Sequence, residues 1–352
     1  MIDLKKIKWL LIEPTSFCNL HCPQCNRFNV DGYLNSNFSP AHLDLDLLEK
    51  NLDLNLLPSL THIRFEGEHG DVMLHPTPTK ILDIFSQHQI HLVTNGSMRA
   101  PKFWKELAKY QNLTVTFSID GLQDTNHIYR INSNWEVIMA NATAFIQAGG
   151  KAIWKFIAFE HNQHQIEQAR ELSTQLGFIE FVEQHSDRSW YNGDTWPVKV
   201  NGVFQYNLRP SSKVRLQFGA SVTPRMGGKL LLRQGKNTVT ATEGEKKFIK
   251  VMSTNLTGLI DQCHPRQEDV RSLYINHLGH LLPCCMTAGL TWTDDIQGKL
   301  WRKLVGNLDA INLTKTSLID IINGEFYTKN LPNSLQSDRP SPVCLAHCHK
   351  NK

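Results

Sequence analysis

The stretch "EPTSFCNLHCPQCNRF", residues 13–28, places Cys18, Cys22 and Cys25, three of the chain's eight cysteines, within eight positions, directly after the apolar run "IKWLLI". The run reads as a buried strand and the cysteines as the loop that follows it. Thiolate sulfur favours iron–sulfur clusters, zinc and Cu(I). Four cysteines close a 4Fe–4S cluster. Three leave one iron without a protein ligand, open to a small molecule with adjacent amine and carboxylate groups. The alternative on these residues is a structural zinc site completed by His21 or a more distant ligand.

Working outward, short apolar runs alternate with helical periods as far as residue 186. "KWLLIE" (8–13), "THIRFEG" (61–67), "IHLVTNG" (90–96), "LTVTFSIDG" (113–121), "AIWKFIAF" (152–159) and "GFIEFV" (177–182) are six predicted strands. Between them, "SPAHLDLDLLEKNLDLN" predicts a helix capped by Ser39 with Pro40 at its first position. "PTKILDIFSQH", "PKFWKELAKY", "WEVIMANATAFIQAGG" and "QHQIEQARELSTQLG" predict four more, the last two ending at glycines. Such alternation predicts a parallel sheet with right-handed crossovers, either a partial barrel or a doubly wound sheet. Beyond residue 186 the rhythm changes. "KVRLQFGASVT" and "GKLLLRQGKNTVTAT" read as short antiparallel strands, "SLYINHLGHLLPCC" as a hairpin turning near Gly279, and "LTKTSLIDIINGEFY" as a helix. The expected division is 1–186, 187–262 and 263–352.

The 352 residues, 41% hydrophobic and 20% charged, are enough for a large core and argue against disorder. No segment approaches the ~18 consecutive apolar residues of a membrane span, and no signal peptide opens the chain, so a cytoplasmic location is expected. In a reducing cytosol, eight cysteines in two clusters point to metal ligation or catalysis rather than disulfides. The net charge of +4 is uneven: between Trp190 and Gln262, eleven Lys and Arg face four Asp and Glu. That surplus suits either an anionic partner or a solvated β-rich insertion whose lysines blunt its edges. Trp190, Tyr191 and Trp196 either line a pocket or pack that insertion.

The spacing Cys18-x3-Cys22-x2-Cys25 after a first strand resembles the signature of the radical S-adenosylmethionine enzymes. "FEGEHGDVMLHP" resembles the family's Gly-Gly-Glu-Pro element, with Gly67 and Glu68 fitting and with Glu66 and His69 in place of the first glycine and the proline. "VTNGS" and "FSIDG" resemble further family elements and supply Thr94, Asn95, Ser118 and Asp120. The resemblance implies a partial (β/α)6 TIM-like barrel, an open 4Fe–4S cluster on Cys18, Cys22 and Cys25, and S-adenosylmethionine bound by those residues, with Arg130 at the methionine carboxylate. Cys263, Cys284, Cys344 and Cys348 resemble the ligands of a twitch or SPASM-like α+β auxiliary module. They would hold one auxiliary 4Fe–4S cluster, with Cys285 as an alternative ligand and zinc as the other metal compatible with the spacing.

The family's chemistry is reductive cleavage of S-adenosylmethionine to a 5'-deoxyadenosyl radical that abstracts hydrogen from a substrate, fed by an external one-electron donor such as a flavodoxin or ferredoxin. A base would come from strand-end loops, where Asp120, Glu160 and His161, together with Asp71 and His75, are the candidates; capping is the alternative role for all of them. The substrate expected from the barrel-plus-module pairing is a peptide or protein side chain, although the triplet at residue 18 is expected to leave no length ahead of it for a leader-peptide-binding domain. The second expectation is a small molecule such as an aminosugar or nucleotide. A third, from another class, is a zinc-stabilised nucleic-acid-binding protein; it leaves the glycine-acid loops after the second and fourth strands unexplained.

Overall fold

The computed structural model describes residues 2–186, 195–212, 271–293 and 296–336, together with short strand backbones at 225–226, 229–230, 232–234 and 237–239. Six parallel strands, β1 (Trp9–Ile12), β2 (His62–Phe65), β3 (Gln89–Thr94), β4 (Leu113–Ser118), β5 (Lys151–Ala158) and β6 (Glu180–His185), pair in chain order. They curl into a partial barrel, which settles the choice that periodicity left open. In β1 and β2 burial alternates residue by residue. Leu10, Ile63, Leu92, Val115 and Phe156 on one face join the core with Leu48, Ile81, Trp104, Leu107 and Phe145 of the surrounding helices. Because side chains alternate across a strand, the other set faces the barrel lumen.

The crossover helices are α1 (Leu45–Asn51), α2 (Pro78–Ile84), α3 (Pro101–Leu107), the short α4 (Asn126–Tyr129), α5 (Trp135–Gln147) and α6 (Ile166–Leu176). The last ends on Gly177 in the left-handed conformation, φ +88°. The first helix departs from expectation. Asp44, not Ser39, caps α1, accepting from the backbone N–H groups of Asp46 and Leu47. The residues before it are held extended against the cysteine loop: Ala41 O accepts from Ser16 N, and Leu43 N donates to Pro14 O. Those bonds use the backbone groups that a helix starting at Pro40 would have needed.

The eight-stranded sheet continues past β1 on the side away from β2. There β13 (Ser272–Ile275) pairs parallel with β1, and β14 (Leu281–Leu282) returns antiparallel through Gly279, the expected hairpin. Between β6 and β13 lie the hairpin β7 (Trp196–Val200) and β8 (Val203–Leu208) and two small antiparallel pairs, β9 (Arg225–Met226) with β10 (Lys229–Leu230) and β11 (Leu232–Gln234) with β12 (Asn237–Val239). The helices α7 (Ile296–Val305), α8 (Leu318–Asn323, capped by Ser317) and α9 (Leu331–Gln336) follow β14. The expected strand "KVRLQFGASVT", Trp190 and Tyr191 lie outside the described residues. Among the described residues no helix is long and apolar enough to cross a membrane.

Candidate functional site

Cys18, Cys22 and Cys25 share the loop that leaves β1, all three partly buried and free of disulfides. Arg27, 6% exposed, clamps the loop by donating to Leu20 O at 2.6 Å and to Cys18 O at 3.3 Å. Burial works against its charge, yet the three neighbouring cysteines hold the guanidinium more firmly protonated than a free arginine. Leu20 N donates to Cys18 Sγ at 3.4 Å, and Asn95 Nδ2 lies 3.7 Å from the same sulfur. Burial pushes the Cys18 thiol up to about 12 and raises that of Cys22. Both thiols are therefore protonated at neutral pH, and a metal bound there would have to displace those protons. The set suits a polynuclear cluster: three sulfur donors spread along one loop, a buried cation to offset negative charge, and N–H groups aimed at sulfur. Among the described residues no three His, Cys, Asp or Glu side chains converge on a single-ion site.

A buried glutamate organises the next element. Glu13, 1% exposed at the end of β1, accepts from Glu68 N at 2.9 Å and His69 N at 3.3 Å, tying the Gly67–His69 turn after β2 to the cysteine strand. Burial, reinforced by Glu68 and Glu66, raises its pKa well above the usual carboxylate range. Asp71 repeats the device one loop on. It accepts from Met73 N, from Thr94 Oγ1 and from Asn95 N at 2.8 Å, locking the β2 loop to the end of β3. Asp71 and Thr94 thus tie the two loops together. His75 likewise is a loop residue, Nε2 against Leu43 O and Nδ1 accepting from Thr77 N.

After β4, Asp120 is fully buried, with Oδ1 accepting from Ile157 N at 2.7 Å and Oδ2 paired with Arg130 Nε at 2.6 Å. Arg130 Nη1 reaches to 4.0 Å from Cys22 Sγ. Burial opposes the Arg130 charge, but Asp120 and then Cys22 more than offset it. The expected residues thus gather in one place: Cys18, Cys22, Asn95, Asp120 and Arg130 are linked through sulfur contacts and one ion pair, and Ser118 ends the strand that carries Asp120. Glu160 and His161 stand apart. They line a half-open cleft of about 530 Å³ with His127, Ile131, Gln205 and Arg209. Burial lowers the His161 imidazole to about 4.

The hairpin β7–β8 closes over this side of the cysteine loop. Val198 and Leu208 are buried with Tyr129 and Phe159, and Cys22, Ile131, Trp196 and Tyr206 pack around them. Trp196 thus packs the insertion, one of the two roles expected for it. Lys199 Nζ meets Asp31 at 2.7 Å, Tyr33 donates to Asn201 O, and Tyr206 donates to Ile128 O.

In the C-terminal module Cys284 is buried and Cys285 partly so; Cys263, Cys344 and Cys348 lie outside the described residues. Burial, then Cys284, Glu68 and Glu66, push the Cys285 thiol up to about 12, so this pair lies within electrostatic reach of the loop after β2. His69 anchors that contact, with Nδ1 3.3 Å from the Tyr274 hydroxyl and its ring edge-on to Trp292, centroids 4.6 Å apart. Sequence reading missed Glu13, Arg27 and the Trp292 contact. A carboxylate closing an apolar strand and an arginine two positions past the last cysteine were the available signals for the first two.

The chain pairs a partial barrel of six parallel strands with a C-terminal segment that matches an iron–sulfur module. Residues 263–349 match the SPASM family, an iron–sulfur cluster-binding domain. The tungsten-containing aldehyde ferredoxin oxidoreductase cofactor-modifying protein of Pyrococcus furiosus is 28% identical over 144 residues, which span 39% of this chain and 36% of that protein. Streptococcus suis SuiB bound to S-adenosylmethionine shares the fold with a TM-score of 0.55 at 14% identity, over 95% of this chain and 68% of that one. Native anSMEcpe with bound S-adenosylmethionine does so with a TM-score of 0.52 at 13% identity, over 91% and 82%.

Proposed function

We propose that this protein is a radical S-adenosylmethionine enzyme whose substrate is a peptide or protein side chain. Cys18, Cys22 and Cys25 would hold the open 4Fe–4S cluster; Cys263, Cys284, Cys344 and Cys348, with Cys285 as the alternative, would hold an auxiliary one. Reduced by an external one-electron donor, a cluster held there would supply the chemistry of reductive S-adenosylmethionine cleavage, leading to hydrogen abstraction from the substrate. The chain's own residues bind, orient and shield. Gly67 and Glu68, fixed by Glu13, would present backbone groups to the methionine amine, and Arg130, fixed by Asp120, would meet the carboxylate. Asn95 and Arg27 support the sulfurs, and the hairpin β7–β8 keeps water from the Cys22 side.

The observation that carries this reading is the convergence of three partly buried cysteines, the buried Arg27 and the Asp120–Arg130 pair on one loop. Peptide as substrate is supported by the shared fold of SuiB, solved with its precursor peptide SuiA, and of anSMEcpe, solved with a Cp18Cys peptide. A small molecule is the second reading, favoured by the Pyrococcus furiosus relative, whose name describes cofactor modification. The test is electron paramagnetic resonance of the dithionite-reduced protein. Addition of S-adenosylmethionine shifts the signal if one iron is open, and leaves it unchanged if both clusters are closed by protein ligands.

A further inference from the structure

We propose that the barrel lumen contains an anion-recognition site built on Lys155 and Arg64, and that the substrate carries a carboxylate or phosphate that seats on it. This deepens the function proposed above and rests on it for the identity of the reaction.

The strand period puts both residues on the lumen face. Phe65 and Ile63 on β2, and Trp154 and Phe156 on β5, are wholly buried against the helices, so their neighbours Arg64 and Lys155 point the other way. Register fixes their level. Lys155 lies opposite Ser118, the last residue of β4, and Arg64 lies opposite His91 on β3. Lys155 is therefore at the C-terminal mouth, where ligands of parallel barrels bind, and within electrostatic reach of Asp120, Arg130, Arg64 and Glu66.

The carboxylates near Lys155 are already engaged. Asp120 is consumed by Arg130 and the Ile157 N–H. Glu66 pairs with Arg64, Nε to Oε1 3.0 Å. The imidazole of His91, which burial holds near 4, shares Nε2 with the Thr116 hydroxyl and adds no charge at neutral pH. Both carboxylates within reach of Lys155 are thus already paired with an arginine, and the Lys155 ammonium makes no hydrogen bond or ion pair among the described residues. An ammonium taken from water without a partner costs stability, and burial already lowers the Lys155 pKa. A mobile Lys head and a planar Arg fork together suit an oxyanion. The methionine carboxylate of the cofactor is assigned to Arg130, which leaves Lys155 for the substrate.

The experiment is calorimetric titration of the full-length reconstituted protein with succinate and with pyrophosphate, and separately with S-adenosylmethionine, in native, Lys155→Met, Lys155→Arg and Arg64→Gln forms. One of the two anions is expected to bind the native protein at one site, about tenfold more weakly to Lys155→Met and Arg64→Gln, with Lys155→Arg close to native. The preferred anion tells carboxylate from phosphate. S-adenosylmethionine is expected to bind all four forms alike, and Lys155→Met is expected to melt no lower than native, because an uncompensated charge has been removed. Saturable binding of neither anion, or undiminished binding to Lys155→Met, overturns the proposal. So does a parallel loss of S-adenosylmethionine affinity, which would give Lys155 to the cofactor. If the native protein binds an anion through Lys155 but no S-adenosylmethionine, the anion site stands and the proposed reaction fails.

Discussion

Arg27 carries two structural hydrogen bonds and a positive charge within electrostatic reach of all three cysteines. Arg27→Gln is expected to lower stability by about 2 kcal/mol, through two loop carbonyls left without their donor, and to shift the cluster's reduction potential in the negative direction. Chemical denaturation and a redox titration check the two effects. Asp120→Asn tests the buried pair: Asn can still accept from Ile157 N, but Arg130 keeps no counter-ion, so a loss of roughly 3 kcal/mol is expected, with weaker binding of S-adenosylmethionine. If Asp120→Asn changes stability but not that binding, Arg130 is not held for the cofactor. At this scale the cysteine triplet was legible because its spacing is itself the chemistry. Glu13 was not, because its role depends on a loop more than fifty residues away that only the closed β1–β2 pair brings to it. Glu160 and His161 were named for following β5, but position after a strand does not tell the sulfur side of the mouth from the cleft under the hairpin.

Among the elements, the hairpin β7–β8 is the one whose docking the sequence hid. Its contacts with the cysteine loop span more than 160 residues and join side-chain packing to a backbone bond, Gly202 N to Asp31 O. Gly32 is the tightest point of that contact: φ is +76°, and a Cβ added there would lie 2.1 Å from Lys199 O. Gly32→Ala is therefore expected to lift the hairpin off the loop and to speed tryptic cleavage at Lys199, whereas Asp31→Ala, which removes one half-exposed ion pair, should cost no more than about 1 kcal/mol. Equal cleavage of the native protein and Gly32→Ala would show that the hairpin is held elsewhere. The six strands were readable from their β-branched and aromatic runs. The start of α1 was not, since Ser39 and Asp44 are both good caps and only the bridge to the cysteine loop decides between them.

At the scale of the molecule, buried titratable groups set the pH response. His277 and His280, 1% and 6% exposed, are lowered by burial to about 4. Between that value and ~6.5 the unfolded chain binds more protons, so their contribution is complete above about pH 6.5 and is lost as pH falls toward 4, on the order of 3 kcal/mol per residue at most. Glu13 and Asp71, raised by burial, act with the opposite sign: stability falls as pH rises from the usual carboxylate range through their raised values. The double variant His277→Gln/His280→Gln isolates the first effect and should flatten the loss of stability between pH 6.5 and 4 in urea titrations. The central claim concerns the whole chain, barrel and module together, and one anaerobic measurement tests it most directly. Iron is counted in the reconstituted native protein and in a variant with Cys18, Cys22 and Cys25 replaced by Ala, and 5'-deoxyadenosine is assayed after dithionite and S-adenosylmethionine are added. The account predicts about eight irons in the native protein, about four in the variant, and deoxyadenosine from the native protein alone. Zinc in place of iron, or equal deoxyadenosine from both, would contradict it.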